Sequence, residues 1–142
     1  MRASARRTAL QTGACLCGAV AYEITGQLAG IQFCHCSQCR RASGAAFAAN
    51  IPVRAEDFRV TAGADRLKAY SSSPGKERVF CGDCGSPIIS RSAGDPGWVR
   101  VRAGTLGAPA TTRPAFHFHV ASKAGWFEIT DNLPQHPGPR PG

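Results

Sequence analysis

Long apolar runs and acidic side chains are both scarce in this chain of 142 residues. No stretch approaches the ~20 consecutive apolar residues that span a bilayer. No apolar block of secretory length follows Arg2, Arg6 and Arg7. Ser-His-Asp patterns, phosphate-binding glycine loops and paired carboxylates are also missing. The sequence therefore predicts a soluble cytoplasmic protein that does not act on membranes.

The shortage of acidic residues gives the chain a basic surplus. Lys and Arg number 17 against 9 Asp and Glu, a formal net charge of +8. Such a balance favours anionic partners, including nucleic acid and acidic small molecules. Seven thiolates around two Zn²⁺ ions would reduce the surplus by three, to +5. Because the basic residues are dispersed along the chain, a small anionic partner is favoured over nucleic acid.

An apolar content of 43% over 142 residues suits one compact domain. The ends differ from the middle, since residues 1–12 are polar and basic and residues 133–142 are rich in Pro and Gly. We predict a flexible N-terminal tail over 1–12, a folded zinc domain over 13–132 and a C-terminal tail over 133–142.

Short apolar stretches separated by Gly, Pro and Ser predict an all-β domain. Val99 and Val101 alternate with polar residues, as in a half-buried strand. A single helical turn is predicted over Ser37–Ser43, with Ser37 as its cap. The predicted strands are Ala19–Ile24, Ala46–Val53, Phe58–Thr61, Leu67–Ser71, Arg78–Phe80, Pro87–Ser90, Trp98–Ala103, Phe116–Val120 and Trp126–Ile129.

Seven cysteines carry most of the functional information. An odd number cannot pair completely into disulfides, and a cytoplasmic chain would be kept reduced. The thiols fall into close-spaced groups, and Cys17 and Cys84 are each followed by glycine, as in zinc knuckles. The three groups are Cys15-Leu16-Cys17-Gly18, Cys34-His35-Cys36-Ser37-Gln38-Cys39 and Cys81-Gly82-Asp83-Cys84-Gly85.

Two divisions of the cysteines remain open. Structural Zn²⁺ takes four protein ligands, whereas catalytic Zn²⁺ takes three and keeps one open position. A split of four and three uses every cysteine, with Cys15, Cys17, Cys81 and Cys84 in one site and Cys34, Cys36 and Cys39 in the other. The alternative is a zinc ribbon on Cys36, Cys39, Cys81 and Cys84 that leaves three thiols as spectators. A sulfur-only ligand set favours zinc, with iron as the other choice.

An open zinc site with three thiolates is suited to sulfur chemistry. Its formal charge of −1 makes the ion a weak Lewis acid, while its softness matches a fourth sulfur ligand. Arg40 and Arg41 follow Cys39 and could bind a substrate carboxylate, and Arg78 is a further candidate. No general acid or base is identified from the sequence.

The four histidines are weaker candidates. His35 lies between two cysteines, so its side chain is expected to point away from the metal, where it could support the ligands or carry a proton. His117 and His119 are two residues apart on a predicted strand and should share a face. We expect an exposed or core-capping pair there, with a connection to the zinc site as the alternative. His136 is expected to be exposed.

The cysteine motifs resemble those of the glutathione-dependent formaldehyde-activating enzyme family, whose domain also occurs in centromere protein V. The resemblance lies in Gly13–Val20, in Cys34–Gly44, in Arg78–Pro87 and in a closing stretch over Ser122–Pro134. It implies a β-tent fold of packed antiparallel sheets. It also implies two zinc ions per chain, a structural one on Cys15, Cys17, Cys81 and Cys84 and a catalytic one on Cys34, Cys36 and Cys39.

The resemblance further implies a carbon–sulfur lyase similar to S-(hydroxymethyl)glutathione synthase. Glutathione or another thiol would be the co-substrate, and a small-molecule thiol or thiol adduct would be the partner. The alternative is a non-catalytic zinc module that binds nucleic acid or protein. Salt dependence separates the two, because affinity for DNA falls steeply with salt when several phosphates are contacted.

Overall fold

The computed structural model describes residues 10–107 and 110–141 and confirms a mostly β domain. Residues 1–9 of the predicted N-terminal tail, with Arg2, Arg6 and Arg7, lie outside the described residues. The described elements are β1 (Leu10–Ala14), β2 (Ala21–Thr25), β3 (Ile31–Cys34), α1 (Ser37–Ser43), β4 (Ala48–Arg54), β5 (Phe58–Ala62), β6 (Leu67–Ser73), β7 (Lys76–Cys81), β8 (Pro87–Ser92), β9 (Trp98–Arg102) and β10 (Pro114–Phe118).

The described strands form two sheets that pack face to face. One has three strands in the order β1-β2-β5, and the other has seven in the order β10-β3-β4-β9-β8-β7-β6. Pairing is antiparallel except between β10 and β3, which run parallel, so the larger sheet is mixed. The β-sheet class is confirmed, with this one parallel pair as a departure from antiparallel pairing.

Alternating apolar residues build the core between the sheets. Tyr22 and Ile24 of β2 pack against the inner face of the larger sheet. Val99 and Val101 of β9 are buried there, which confirms the predicted alternation. The other buried members of this core are Cys15, Val20, Ile51, Val53, Val79, Cys81, Ile88 and Ile89.

Strand β1 is absent from the sequence prediction, which places residues 10–12 in a tail. It pairs with β2 over its whole length. Its sequence is polar, and it fits because Gly13 lets the backbone approach the Tyr22 ring. A Cβ at Gly13 would lie 2.3 Å from the Tyr22 hydroxyl oxygen and 2.6 Å from the carbonyl oxygen of Thr105.

The C-terminal segment pairs with the outer edge of β10. The backbone N–H of His117 donates to the carbonyl of Pro134 at 2.9 Å, and that of His136 donates back to the carbonyl of His117 at 2.9 Å. His136 is half-buried rather than exposed, and its ring stands edge-on to Phe116. This segment, predicted as a tail, is part of the folded structure.

The predicted strand over Trp126–Ile129 is wrong, because these residues adopt no strand conformation. Residues 134–138 already occupy the hydrogen-bonding edge of β10. Phe127 instead packs against Phe47, with the ring centroids 5.6 Å apart, while Trp126 is exposed.

The helix α1 confirms the predicted helical turn, but its cap differs from the prediction. Cys36 is the N-cap residue, since its backbone is extended and its sulfur accepts the backbone N–H of Cys39 at 3.3 Å. Ser37 is the first helical residue. Gly44 ends the helix in the left-handed conformation with φ 66°. Within the described residues, no helix is long and apolar enough to cross a membrane.

Candidate functional site

Four cysteines from two turns form the first cluster, here called the four-cysteine cluster. Cys15 and Cys17 follow β1, while Cys81 and Cys84 lie at the end of β7 and just after it. Gly18 and Gly85 follow the second cysteine of each turn, and both have φ 82°. Because L side chains rarely adopt this conformation, the glycines allow each turn to direct two sulfurs to one point.

The sulfur geometry of the four-cysteine cluster fits a tetrahedral metal ion. All four Sγ atoms lie within 4.8 Å of one another. Cys17 Sγ is 3.7 Å from Cys15 Sγ and 3.9 Å from Cys81 Sγ. Four sulfurs at ~2.3 Å from Zn²⁺ in a tetrahedron are about 3.8 Å apart. The described residues can therefore hold a zinc ion here with little rearrangement.

Ser86 joins the two turns of this cluster. Its hydroxyl oxygen accepts the backbone N–H of Leu16 at 2.9 Å and lies 3.3 Å from Cys84 Sγ. The contact between the Ser86 hydroxyl and Cys84, together with backbone N–H groups of Ser86 and Cys17, lowers the pKa of the Cys84 thiol to about 5. Sequence reasoning missed Ser86, because its two partners come from turns about 70 residues apart.

The second cluster, here called the three-cysteine cluster, lies where β3 leads into α1. Cys34 ends β3, Cys36 caps α1, and Cys39 is buried in its first turn. Their Sγ atoms also lie within 4.8 Å of one another. Cys34 and Cys39 pack with Ala48 and Phe118 in a small core of their own.

The thiols of this cluster influence one another. A hydrogen bond from Cys34 lowers the pKa of Cys36, and the same contact raises the pKa of Cys34. The backbone N–H of Cys39 also donates to Cys36 Sγ, which favours a negative sulfur. Among the described residues, no fourth His, Cys, Asp or Glu joins this group. Three sulfurs with one open position could hold a metal ion and admit a further ligand.

The structure groups the cysteines as four and three, the first of the two divisions that the sequence left open. The two cysteine pairs of the alternative zinc ribbon do not share a cluster, since Cys36 and Cys39 lie in one while Cys81 and Cys84 lie in the other. Every cysteine of the chain is used.

A cleft beside α1 is connected to the three-cysteine cluster through Arg78. It has a volume of about 350 Å³, and its lining residues are Gln38, Arg41, Ala42, Tyr70, Ser72 and Arg78. Both terminal nitrogens of Arg78 lie 3.9 Å from Cys39 Sγ. Arg41 lines the cleft as well, whereas Arg40 is not among its lining residues. The structure thus places Arg78 and Arg41 on the cleft and Arg78 alone against a sulfur.

Arg102 on β9 adds a buried positive charge near the three-cysteine cluster. It is 7% exposed and donates to Asn50 Oδ1 and to Ser90 Oγ. No carboxylate in the described part of the chain lies within salt-bridge distance of it. Burial lowers the pKa of its guanidinium, and the nearby negative cysteines oppose that effect.

His35 and His117 meet behind the three-cysteine cluster. His35 Nε2 lies 2.8 Å from His117 Nδ1, and both rings are buried. Burial lowers the pKa of His35 to about 4. His117 is therefore connected to the cluster through His35. This is the alternative that the sequence left open beside an exposed or core-capping position. His119 lies beyond the end of β10 with φ 55°, so strand alternation does not pair it with His117.

A two-sheet β domain with two cysteine clusters able to bind zinc is the class of protein that this fold and site define. Residues 10–122 match the family described as glutathione-dependent formaldehyde-activating enzyme. The chain belongs to this family.

Curated relatives with that enzyme name occur in Aspergillus flavus and Aspergillus oryzae. Each is 33% identical over 79 residues, which is 54% of this chain and 41% of the relative. The matched part therefore spans about two fifths of their length. A crystal structure of a Rhodobacter sphaeroides protein superposes with a TM-score of 0.59 and 27% identity, covering 73% of this chain and 99% of that one.

Proposed function

We propose that the protein is a zinc-dependent enzyme of carbon–sulfur bond chemistry, which adds a thiol such as glutathione to formaldehyde or reverses that addition. One observation carries the proposal. The sulfurs of Cys34, Cys36 and Cys39 converge within 4.8 Å, without a fourth ligand in the described residues, beside a cleft that contains arginines. The family membership and the enzyme names of the curated relatives support it.

The two clusters would have different tasks. Cys15, Cys17, Cys81 and Cys84 would hold a structural zinc that ties the first strand to the middle of the chain. Zinc bound by Cys34, Cys36 and Cys39 would accept a substrate thiol in its open position and keep it as the thiolate near pH 7. A sulfur nucleophile available at neutral pH is the main requirement for attack on an aldehyde.

The arginines would select and orient the thiol. Arg78 and Arg41 line the cleft, and Arg78 also lies 3.9 Å from Cys39 Sγ. Arginine binds carboxylates through two parallel hydrogen bonds, and glutathione carries two carboxylates. Arg40 follows Cys39 directly and, like Arg41, adds positive charge in the last turn of α1.

The reaction balances without an oxidant or reductant. The thiol sulfur forms a bond to the aldehyde carbon, the π electrons of the C=O bond move to oxygen, and the proton released by the thiol ends on that oxygen. The reverse step breaks the C–S bond and returns free thiol and aldehyde. The guanidinium of Arg78, 3.9 Å from Cys39 Sγ, would stabilise negative charge during either step.

The proposed chemistry needs reduced cysteines and a supply of thiol. Both conditions are met in the cytoplasm, where thiols are kept reduced. We therefore place the protein there.

The experiment compares zinc-loaded wild type with the variants Cys36→Ser and Ser37→Ala. Exchange of glutathione and formaldehyde with their adduct is followed by NMR, and bound zinc is counted in the same samples. We expect Cys36→Ser to lose one zinc and the enzymatic exchange, while Ser37→Ala keeps both. Unchanged exchange after the loss of one zinc would rule out the proposed role. Salt-sensitive binding of DNA without any exchange would favour the non-catalytic alternative.

A further inference from the structure

Three side chains form a continuous hydrogen-bonded chain behind the three-cysteine cluster. His35 Nε2 is 2.8 Å from His117 Nδ1, and His117 Nε2 is 3.0 Å from one carboxylate oxygen of Asp131 and 3.2 Å from the other. Both histidines are at most 2% exposed, while the Asp131 side chain is 44% exposed. The chain thus runs from a carboxylate at the surface to the residue between Cys34 and Cys36.

The carboxylate sets the direction of these hydrogen bonds. An ionised Asp131 can only accept, so His117 must carry its hydrogen on Nε2. A neutral imidazole has one N–H, which leaves His117 Nδ1 as an acceptor. His35 must then donate from Nε2, and its own Nδ1 carries no hydrogen.

The surroundings of His35 favour the same direction. Its Nδ1 is buried and has no hydrogen-bond partner among the described residues. Reversing the chain would place a hydrogen on this nitrogen and leave a buried donor unpaired. Buried unpaired N–H groups are rarer in proteins than acceptors with unused capacity. The direction from His35 to His117 to Asp131 avoids that cost.

The ring of His35 is held on several sides. It packs against Phe47 with a centroid distance of 5.2 Å and against His117 at 5.0 Å. Its backbone N–H donates to the carbonyl of Phe118 at 3.0 Å. Because His35 is the single residue between Cys34 and Cys36, holding its ring and its backbone N–H restrains the backbone from which both sulfurs extend.

We propose that Asp131 is a positioning residue of the three-cysteine cluster, which acts through His117 to hold His35 in its Nε2–H form and so orients Cys34 and Cys36. The inference rests on the proposed zinc site and not on the proposed reaction. Hydrogen bonds behind metal ligands commonly change metal affinity by 10- to 100-fold when they are removed.

The first test needs no variant. Long-range ¹H–¹⁵N spectra of the zinc-loaded full chain report which ring nitrogen of each histidine carries hydrogen. We expect hydrogen on Nε2 of both His35 and His117, and none on Nδ1 of His35. A hydrogen on Nδ1 of His35 would overturn the proposal.

The second test uses Asp131→Asn, with Glu128→Gln as the matched control at an exposed acid nearby. The amide oxygen can still accept the backbone N–H of Leu133, which Asp131 Oδ1 binds at 3.0 Å. The affinity of each centre for zinc is measured by competition with a chromophoric chelator. We expect Asp131→Asn to weaken the three-cysteine centre by about 10-fold or more and to leave the four-cysteine centre unchanged.

Equal affinities in Asp131→Asn and wild type, or equal losses at both centres, would overturn the positioning role. A wild-type chain that binds a single zinc would instead remove the proposed function, while the histidine spectra still decide the direction of the hydrogen-bonded chain. The two failures are therefore distinguishable.

Discussion

The guanidinium of Arg78 faces the sulfur of Cys39, with both terminal nitrogens 3.9 Å from Sγ. Arg78 comes from β7 and Cys39 from α1, so the contact joins elements far apart in sequence. Within the described residues Arg78 has no carboxylate partner at salt-bridge distance. Its charge is thus free to balance the thiolates and to meet an anionic ligand.

Replacing Arg78 with Met should weaken the binding of glutathione to the zinc-loaded protein. Hydrogen bonds to charged groups contribute about 1.5 to 3 kcal/mol, so we expect a loss of about tenfold or more. Isothermal titration calorimetry measures it directly. Arg91→Met is the control, because Arg91 lies on β8, pairs with Glu77 at 2.8 Å and is not among the residues that line the cleft. Equal affinity in both variants would contradict the role of Arg78.

Ser86→Ala should destabilise the fold. The change removes the hydroxyl that accepts from Leu16 and contacts Cys84, so the two turns of the four-cysteine cluster lose one hydrogen-bonded connection. We expect a loss of about 1 to 2 kcal/mol in the free energy of unfolding, measured by urea denaturation of the zinc-loaded protein.

Ser37→Ala is the matched control for that measurement. Ser37 was predicted as the helix cap, but Cys36 has that position in the structure. The substitution should therefore change the free energy of unfolding by less than about 0.5 kcal/mol. A loss as large as that of Ser86→Ala would show that the serine side chain supports α1 after all.

Gly13→Ala should be strongly destabilising. The new methyl group would lie 2.3 Å from the Tyr22 ring and 2.6 Å from a backbone oxygen, so β1 would have to move away from β2. We expect a loss of about 3 kcal/mol in thermal or urea unfolding. Gly104→Ala provides the comparison, since its Cβ would meet nothing within 4 Å. Similar stability of the two variants would show that the Tyr22 contact is not tight.

Features that depend on neighbours in sequence were predictable. The cysteine turns, with Gly18 and Gly85 at φ 82°, and the helical turn over Ser37–Ser43 were recognised from short local patterns. Ligand counting favoured the division into four and three, but the zinc ribbon stayed open until the structure grouped the cysteines.

Features that depend on partners across the sheets were not predictable in the same way. The polar strand β1 exists because β2 offers it an edge and Gly13 lets it approach. Arg102 lies on the polar side of the alternation in β9, yet Asn50 and Ser90 on neighbouring strands cover it. Asp131 lies in the closing stretch Ser122–Pro134 that carries the family resemblance, but its role was not predicted, since that role depends on His117 on another segment.

The central claim is that the chain holds two zinc ions, one in a closed site and one in an open site. Elemental analysis of natively purified protein, before and after mild chelation and with parallel titration of free thiols, tests it most directly. We expect two zinc ions per chain, one of which is removed easily with the release of three thiols. A single tightly held zinc with three titratable thiols from the start would contradict the account.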